Sequence, residues 1–337
     1  MTGAGQAPGP TAQLDQLDAN PAEQDRQTRL GMAYGALAFF IWGSFPLYFR
    51  ALKPAGAIEI LLHRIVWALL VCLLAAAVAR RMGALRDVWR SGRLVGALSL
   101  AAGLIAVNWG VYIAAVNSGH VVEAALGYFI NPLVTVVVGV VVLHERLRRL
   151  QWVAVGMGAV AVTVLTIDYG RPPWIALVLA FSFASYGLVK KQVGPQVSAL
   201  ASLTTETMVL TPFALAALVW LEASGRGTFA EDSPWHGVLL ATAGVATTIP
   251  LVLFAAGSRR VPLSTMGLLQ FITPVLQLLV GVLLLGEHVP GARWVGFGLV
   301  WVALMLLSVD SVRQARARGR ARATRLMCEQ EYGPQNV

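Results

Sequence analysis

Long apolar stretches separated by short polar ones organise this chain. The apolar runs cover residues 30–52, 57–79, 94–116, 121–143, 150–168, 172–190, 198–221, 236–258, 262–285 and 291–309. Each is close to the ~20 residues that cross ~30 Å of hydrocarbon as a helix. Backbone in hydrocarbon must satisfy its N–H and C=O groups internally, and the alternation of a barrel strand is absent, so each run predicts a helix. The expectation is an all-α integral membrane protein with ten transmembrane helices. Residues 1–29, rich in Gly, Ala, Pro, Gln and Asp, read as a disordered tail, and residues 310–337 as a basic tail.

An internal repeat sharpens this picture. A shift of 142 lays Leu126–Gly156 on Leu268–Gly298 without a gap, with 12 of 31 positions identical. The matches include Phe129 with Phe271, Pro132 with Pro274, Gly139 with Gly281, Glu145 with Glu287 and Trp152 with Trp294. Apolar composition alone does not align Pro, Glu and Trp in register. The halves are therefore a first repeat over 30–168 and a second over 172–309, each of five helices. Five is odd, so the second enters the membrane from the opposite side, as in secondary transporters whose inverted repeats rock about a central site.

Composition excludes a soluble enzyme: 57% of residues are hydrophobic and 13% charged, against about 25% charged in an ordinary soluble domain. The net charge of +9 follows membrane topology rather than nucleic acid. With both termini cytoplasmic, the inner loops carry 12 Lys and Arg and the outer segments five, Arg50, Lys53, Arg171, Arg226 and Arg293. Cys72 and Cys328 are too few and too differently placed for a disulfide framework. There is no G-x-x-x-x-G-K-[ST] to drive pumping by ATP, no H-E-x-x-H and no metal-ligand spacing. The expectation is no cofactor, no catalysis, and energy drawn from a gradient.

Seven strings in order carry a family resemblance: FFIWG at Phe39–Gly43, EILLHR at Glu59–Arg64, EAALGYFINPL at Glu123–Leu133, LAFSFASYGLVKK at Leu179–Lys191, ETM at Glu206–Met208, TTIPL at Thr247–Leu251 and STMGLLQFI at Ser264–Ile272. Over about residues 30–310 the chain resembles the RarD proteins of the EamA-type branch of the drug/metabolite transporter superfamily. That resemblance implies a five-plus-five permease of the bacterial inner membrane and favours efflux. One departure is His144 before Glu145, where the family has the Gly-Glu kept here as Gly286-Glu287.

Charges inside a spanning helix cost about 2.5 to 3.5 kcal/mol on insertion scales, so they face a cavity or a partner. The second helix carries Glu59, His63 and Arg64, and the seventh carries Glu206, which the shift of 142 relates to Arg64. Opposite charges at symmetry-related positions suggest a pair across the repeat axis, beside the substrate path or as a structural link between the halves. Polar and aromatic residues at intermediate depth complete a candidate substrate cavity: Trp42, Arg64, Asn108, Tyr128, Asn131, Tyr186, Glu206 and Gln270. Pro132 and Pro274 place matching bends beside Asn131 and Thr273. Trp109 and Tyr112 lie at similar depth, and Glu123 sits at the outer end of the fourth helix. Glu206, with Glu59 and His63, is the candidate route for proton coupling. The functional expectation is a secondary transporter of a small organic metabolite or drug, with the lipid bilayer as its other partner. The alternative is a non-transporting membrane sensor or assembly protein on the same fold.

Overall fold

The computed structural model describes residues 21–144, 147–194, 196–229 and 233–332. Among these residues the chain is entirely helical. The first span is two helices, α1 (Pro21–Gly43) and α2 (Phe45–Ala51), bent by 42° at Ser44. Pro46 supplies no N–H in the first turn of α2, and the Ser44 hydroxyl donates to the Phe40 carbonyl at 2.9 Å, so the break is built into the sequence. Spans two to eight are α3 (Ala57–Val78), α5 (Gly92–Asn117), α6 (Val121–Leu143), α7 (Arg149–Tyr169), α8 (Trp174–Val193), α9 (Ala199–Ala223) and α10 (Pro234–Ser258). Between α3 and α5 a short helix, α4 (Met82–Trp89), buries Leu85 and Val88 among flanking arginines. The ninth span comprises α11 (Leu263–Leu269), α12 (Ile272–Leu279) and a π turn over Val280–Leu284. The tenth is α13 (Gly291–Tyr332).

Ten spans thus match the apolar runs, with the first counted as one bent crossing. Three details differ from the pattern. Helix α1 begins at Pro21, so residues 21–29 are helical rather than part of a disordered tail. Proline suits a first helical turn, Arg29 pairs with Asp25 one turn back at 2.8 Å, and the Thr28 hydroxyl donates to the Gln24 carbonyl. Helix α13 continues into the basic tail as far as Tyr332 because the Ala and Arg residues there are strong helix formers. Helix α6 runs on through Pro132, whereas the ninth span breaks at Gln270–Phe271, where Pro274 supplies no N–H to the Gln270 carbonyl. Residues 1–20 of the expected N-terminal tail and Glu145 lie outside the described residues.

Packing follows the repeat. α8 lies on α5 and α6, and its counterpart α1 lies on α10 and α12. α3 meets α9, α6 meets α12 and α7 meets α13, each a pair of symmetry mates. Every one of these contacts joins one half to the other. Close approach needs small residues: a Cβ on Gly127 of α6 would stand 2.8 Å from the Ala176 carbonyl oxygen of α8. The repeats also end alike. His144 closes α6 in the left-handed region at φ +53°, and Gly286 takes φ +69° at the matching position. The departure from Gly-Glu therefore keeps the turn, at the cost of a side chain where glycine is unstrained.

Candidate functional site

Arg64 sits a little over two turns into α3 and is 4% exposed. Its guanidinium lies 4.1 Å from the Trp109 ring centre, with Phe45 and Phe49 of α2 at 5.3 and 5.8 Å. The break at Ser44 is what turns α2 so that these two phenylalanines are buried against it. Aromatic faces attract a guanidinium, though they accept none of its N–H bonds in the plane. The cage continues through Tyr112, which packs edge-on to Phe49 at 5.9 Å and to Tyr128 at 5.6 Å.

Tyr128 donates to Asn108 Oδ1 at 3.2 Å, and Asn108 Nδ2 donates to the Leu179 carbonyl and Ser182 Oγ at 2.9 and 3.0 Å. Asn108 thus ties α5, α6 and α8 together with its amide fully used. From Tyr128 a ladder of rings runs through Phe183 at 6.3 Å to Tyr186 at 6.2 Å. Tyr186 donates to Glu206 Oε2 at 3.2 Å.

Glu206 is 1% exposed, and its other oxygen accepts from Lys190 Nζ at 2.7 Å and Ser202 Oγ at 2.8 Å. Lys190 also bonds Ser202. This corrects the expected pair: Glu206 is neutralised by Lys190 across the α8–α9 hairpin, and Arg64 stands among rings instead. The physical reason is local. Tyr186 and Lys190 are one turn apart on α8, as are Ser202 and Glu206 on α9, so two adjacent antiparallel helices bring all four together. Lys190, at the end of the sixth apolar run, extends back along its helix to reach the carboxylate.

The other expected residues lie apart from this line. Trp42 packs with Phe39 and Phe254 at 5.5 and 6.0 Å, and its carbonyl accepts from Gln277 Nε2 at 3.4 Å. Gln277 is 1% exposed with Oε1 unpartnered, a buried amide the sequence reading passed over. Asn131 Oδ1 also has no partner, and Gln270 marks the break in the ninth span. His63 stacks on Phe229 at 4.6 Å. Among the described residues no three metal-ligating side chains converge.

Three carboxylates, Glu59 and Glu123 buried and Glu287 partly buried, form a separate class at the face where α3, α6 and α8 begin. Glu59 Oε1 accepts from the Thr228 N–H at 2.6 Å and its hydroxyl at 3.0 Å. Glu123 accepts from the Ile175 N–H and from Arg171, both at 3.1 Å. Glu287, just beyond the ninth span, accepts the Val121 and Val122 N–H groups at 2.6 and 2.8 Å, capping α6. Each joins one repeat to residues of the other. Burial pushes the Glu287 carboxyl above its ordinary value, against the opposing pull of those two N–H groups, His120 and Arg293.

The EamA-like transporter model matches residues 29–167 and again 172–309, most of the chain. The chain belongs to the EamA-like transporter family. It is 54% identical over 298 residues to Protein RarD of Streptomyces exfoliatus, covering 88% of this chain and 94% of that one. It is 40% identical over 292 residues to Protein RarD of Escherichia coli, with 86% and 98% covered. A protein named chloramphenicol-sensitive protein RarD in Pseudomonas aeruginosa is 31% identical over 86% of this chain and 97% of its own length. A solved crystal structure, 16% identical, superposes with a TM-score of 0.56 over 84% of this chain and 98% of its own, a likeness of fold alone. The family membership and the helices together identify a multi-pass membrane transporter.

Proposed function

We propose that this family member is a secondary transporter that exports a small organic metabolite or drug by alternating access, in a bacterial cytoplasmic membrane with both termini inside. The observation that carries the proposal is the contrast between the two ends of the inter-repeat seam. At the expected outer face, Glu59, Glu123 and Glu287 bind backbone N–H groups of the opposite repeat. Deeper in, the seam holds the aromatic and polar line from Arg64 to Glu206. A seam fastened at one face and lined with hydrogen-bonding groups below suits a transporter that opens by rocking about its centre. A fastened outer face lets a cytosolic solute load first, which supports export.

Glu206 is the candidate proton carrier in this reading, since protonation would weaken its bond to Lys190. The test is flux in proteoliposomes with imposed pH gradients. Its panel includes chloramphenicol, after the printed name of the relative in Pseudomonas aeruginosa, alongside small acids, amides and amines. Saturable movement of one class supports the reading, and no flux or counterflow across the panel overturns it. In the same vesicles, Glu206→Gln should lose concentrative flux, and concentration that survives the change removes Glu206 from coupling. Impermeant labelling of Arg148→Cys but not Ser224→Cys in intact cells would invert the proposed orientation.

A further inference from the structure

The two repeats treat their buried charge differently. The shift of 142 that aligns them relates Arg64 to Glu206 and Tyr48 to Lys190. In the second repeat the pair is complete, because Lys190 neutralises Glu206 at 2.7 Å. In the first, the position matching Lys190 holds a neutral phenol, and the Tyr48 hydroxyl is taken by the Leu239 carbonyl and Thr242. No ion pair among the described residues includes Arg64, and its Nε has no acceptor. The Phe49 ring touches both Arg64 and Tyr112, and the Tyr112 hydroxyl, on a residue 3% exposed, is also unpartnered.

Rings on its faces leave a guanidinium with its edge donors unused, and those donors fit the paired oxygens of a carboxylate. Resting on the transport reading above, we infer that Arg64 is the recognition site for an organic monoanion of the carboxylate class, whose charge completes the pair that the first repeat lacks. One unneutralised cation calls for one negative charge. A phosphate monoester, at about −1.5 to −2, would bring an excess into the same cage. Trp109, Phe45 and Phe49 give the carboxylate's organic body apolar surface beside its charge.

Thermal unfolding of the purified full-length protein, with matched probes, tests this. Benzoate is compared with benzamide, phenylacetate with phenylacetamide, and phenyl phosphate serves as the dianion. At least one carboxylate should stabilise the parent saturably, with a Kd at least tenfold below that of its amide and below that of phenyl phosphate. Arg64→Gln should abolish the preference and melt at or above the ligand-free parent, because it removes a charge that nothing neutralises. Arg64→Lys keeps the charge without the fork, so it should retain the preference at weaker affinity. No preference for any carboxylate in the parent overturns the assignment, as does a preference that survives in Arg64→Gln. If Arg64→Gln fails to fold, an Arg64→Lys affinity equal to the parent's overturns it. Binding is read without flux, so a protein that binds carboxylates and moves nothing refutes transport alone, whereas saturable flux restricted to neutral solutes refutes this assignment alone.

Discussion

Removing both members of the Lys190–Glu206 pair should cost no more than removing either one alone. At 2.7 Å two unit charges attract by about 6 kcal/mol at an effective dielectric constant of 20. Lys190 keeps 27% of its side-chain surface exposed, so water screens part of that, and desolvation of Glu206 opposes the rest. A coupling of about 3 kcal/mol remains, near the lower end for a buried pair. Glu206→Gln and Lys190→Met should therefore each lose about 3 kcal/mol of unfolding free energy, and the double variant about 3 rather than the additive 6. The assay is reversible unfolding in mixed micelles, followed by tryptophan fluorescence on all four proteins. A coupling below about 0.5 kcal/mol would refute the reasoning and make the pair an exposed one in energetic terms.

Three further changes test the frame around that pair. Gly127→Ala sets a methyl 2.8 Å from the backbone oxygen of Ala176, so it should cost about 1 to 3 kcal/mol, read in the same unfolding assay. His144→Gly relieves a left-handed residue at φ +53° and should gain about 1 kcal/mol, seen as a higher unfolding midpoint. The Glu287 carboxyl has a folded pKa above its ordinary 4.5, so the folded state holds this proton to higher pH than the unfolded state. Its contribution to stability is greatest below 4.5 and falls as pH rises through the raised folded value. Glu287→Gln should lack that slope in a pH series of unfolding measurements.

The spans were legible because a bilayer demands ~20 apolar residues wherever a helix crosses, and nothing else in this composition competes with that signal. The helix ends were less so. Residues 21–29 and the tail beyond 310 carry no apolar run, and their helicity rests on propensity and one-turn pairs such as Asp25–Arg29. The repeat was legible from Pro132/Pro274, Glu145/Glu287 and Trp152/Trp294, although it misled when extended to charge pairing. Symmetry-related positions need not touch. The informative spacing was the one-turn interval within each helix, Tyr186 to Lys190 and Ser202 to Glu206, which puts four polar groups on the facing sides of one hairpin. No spacing announces that Phe45 and Phe49 would cover Arg64, because that depends on the 42° bend at Ser44. Nor does any pattern show that Glu59, Glu123 and Glu287 would find backbone N–H groups as partners.

Those three carboxylates have a consequence for timing. Their acceptor oxygens engage main-chain donors at Thr228, Ile175, Val121 and Val122, and a main-chain donor persists through substitution of any side chain but proline's. The strength of this fastening is therefore set mainly by three glutamates, with the Thr228 hydroxyl and Arg171 adding side-chain donors to Glu59 and Glu123. Parting the repeats at that end strands several N–H groups until water reaches them, a penalty concentrated early in the motion. At the other end, Lys190–Glu206 lies wholly inside the second repeat, so separation of the halves there need not break it. The two ends thus have unequal thresholds. If the repeats rock as proposed, dwell time accumulates in the state shown here, and lengthening or shortening it is a matter of adjusting three carboxylates at the fastened face.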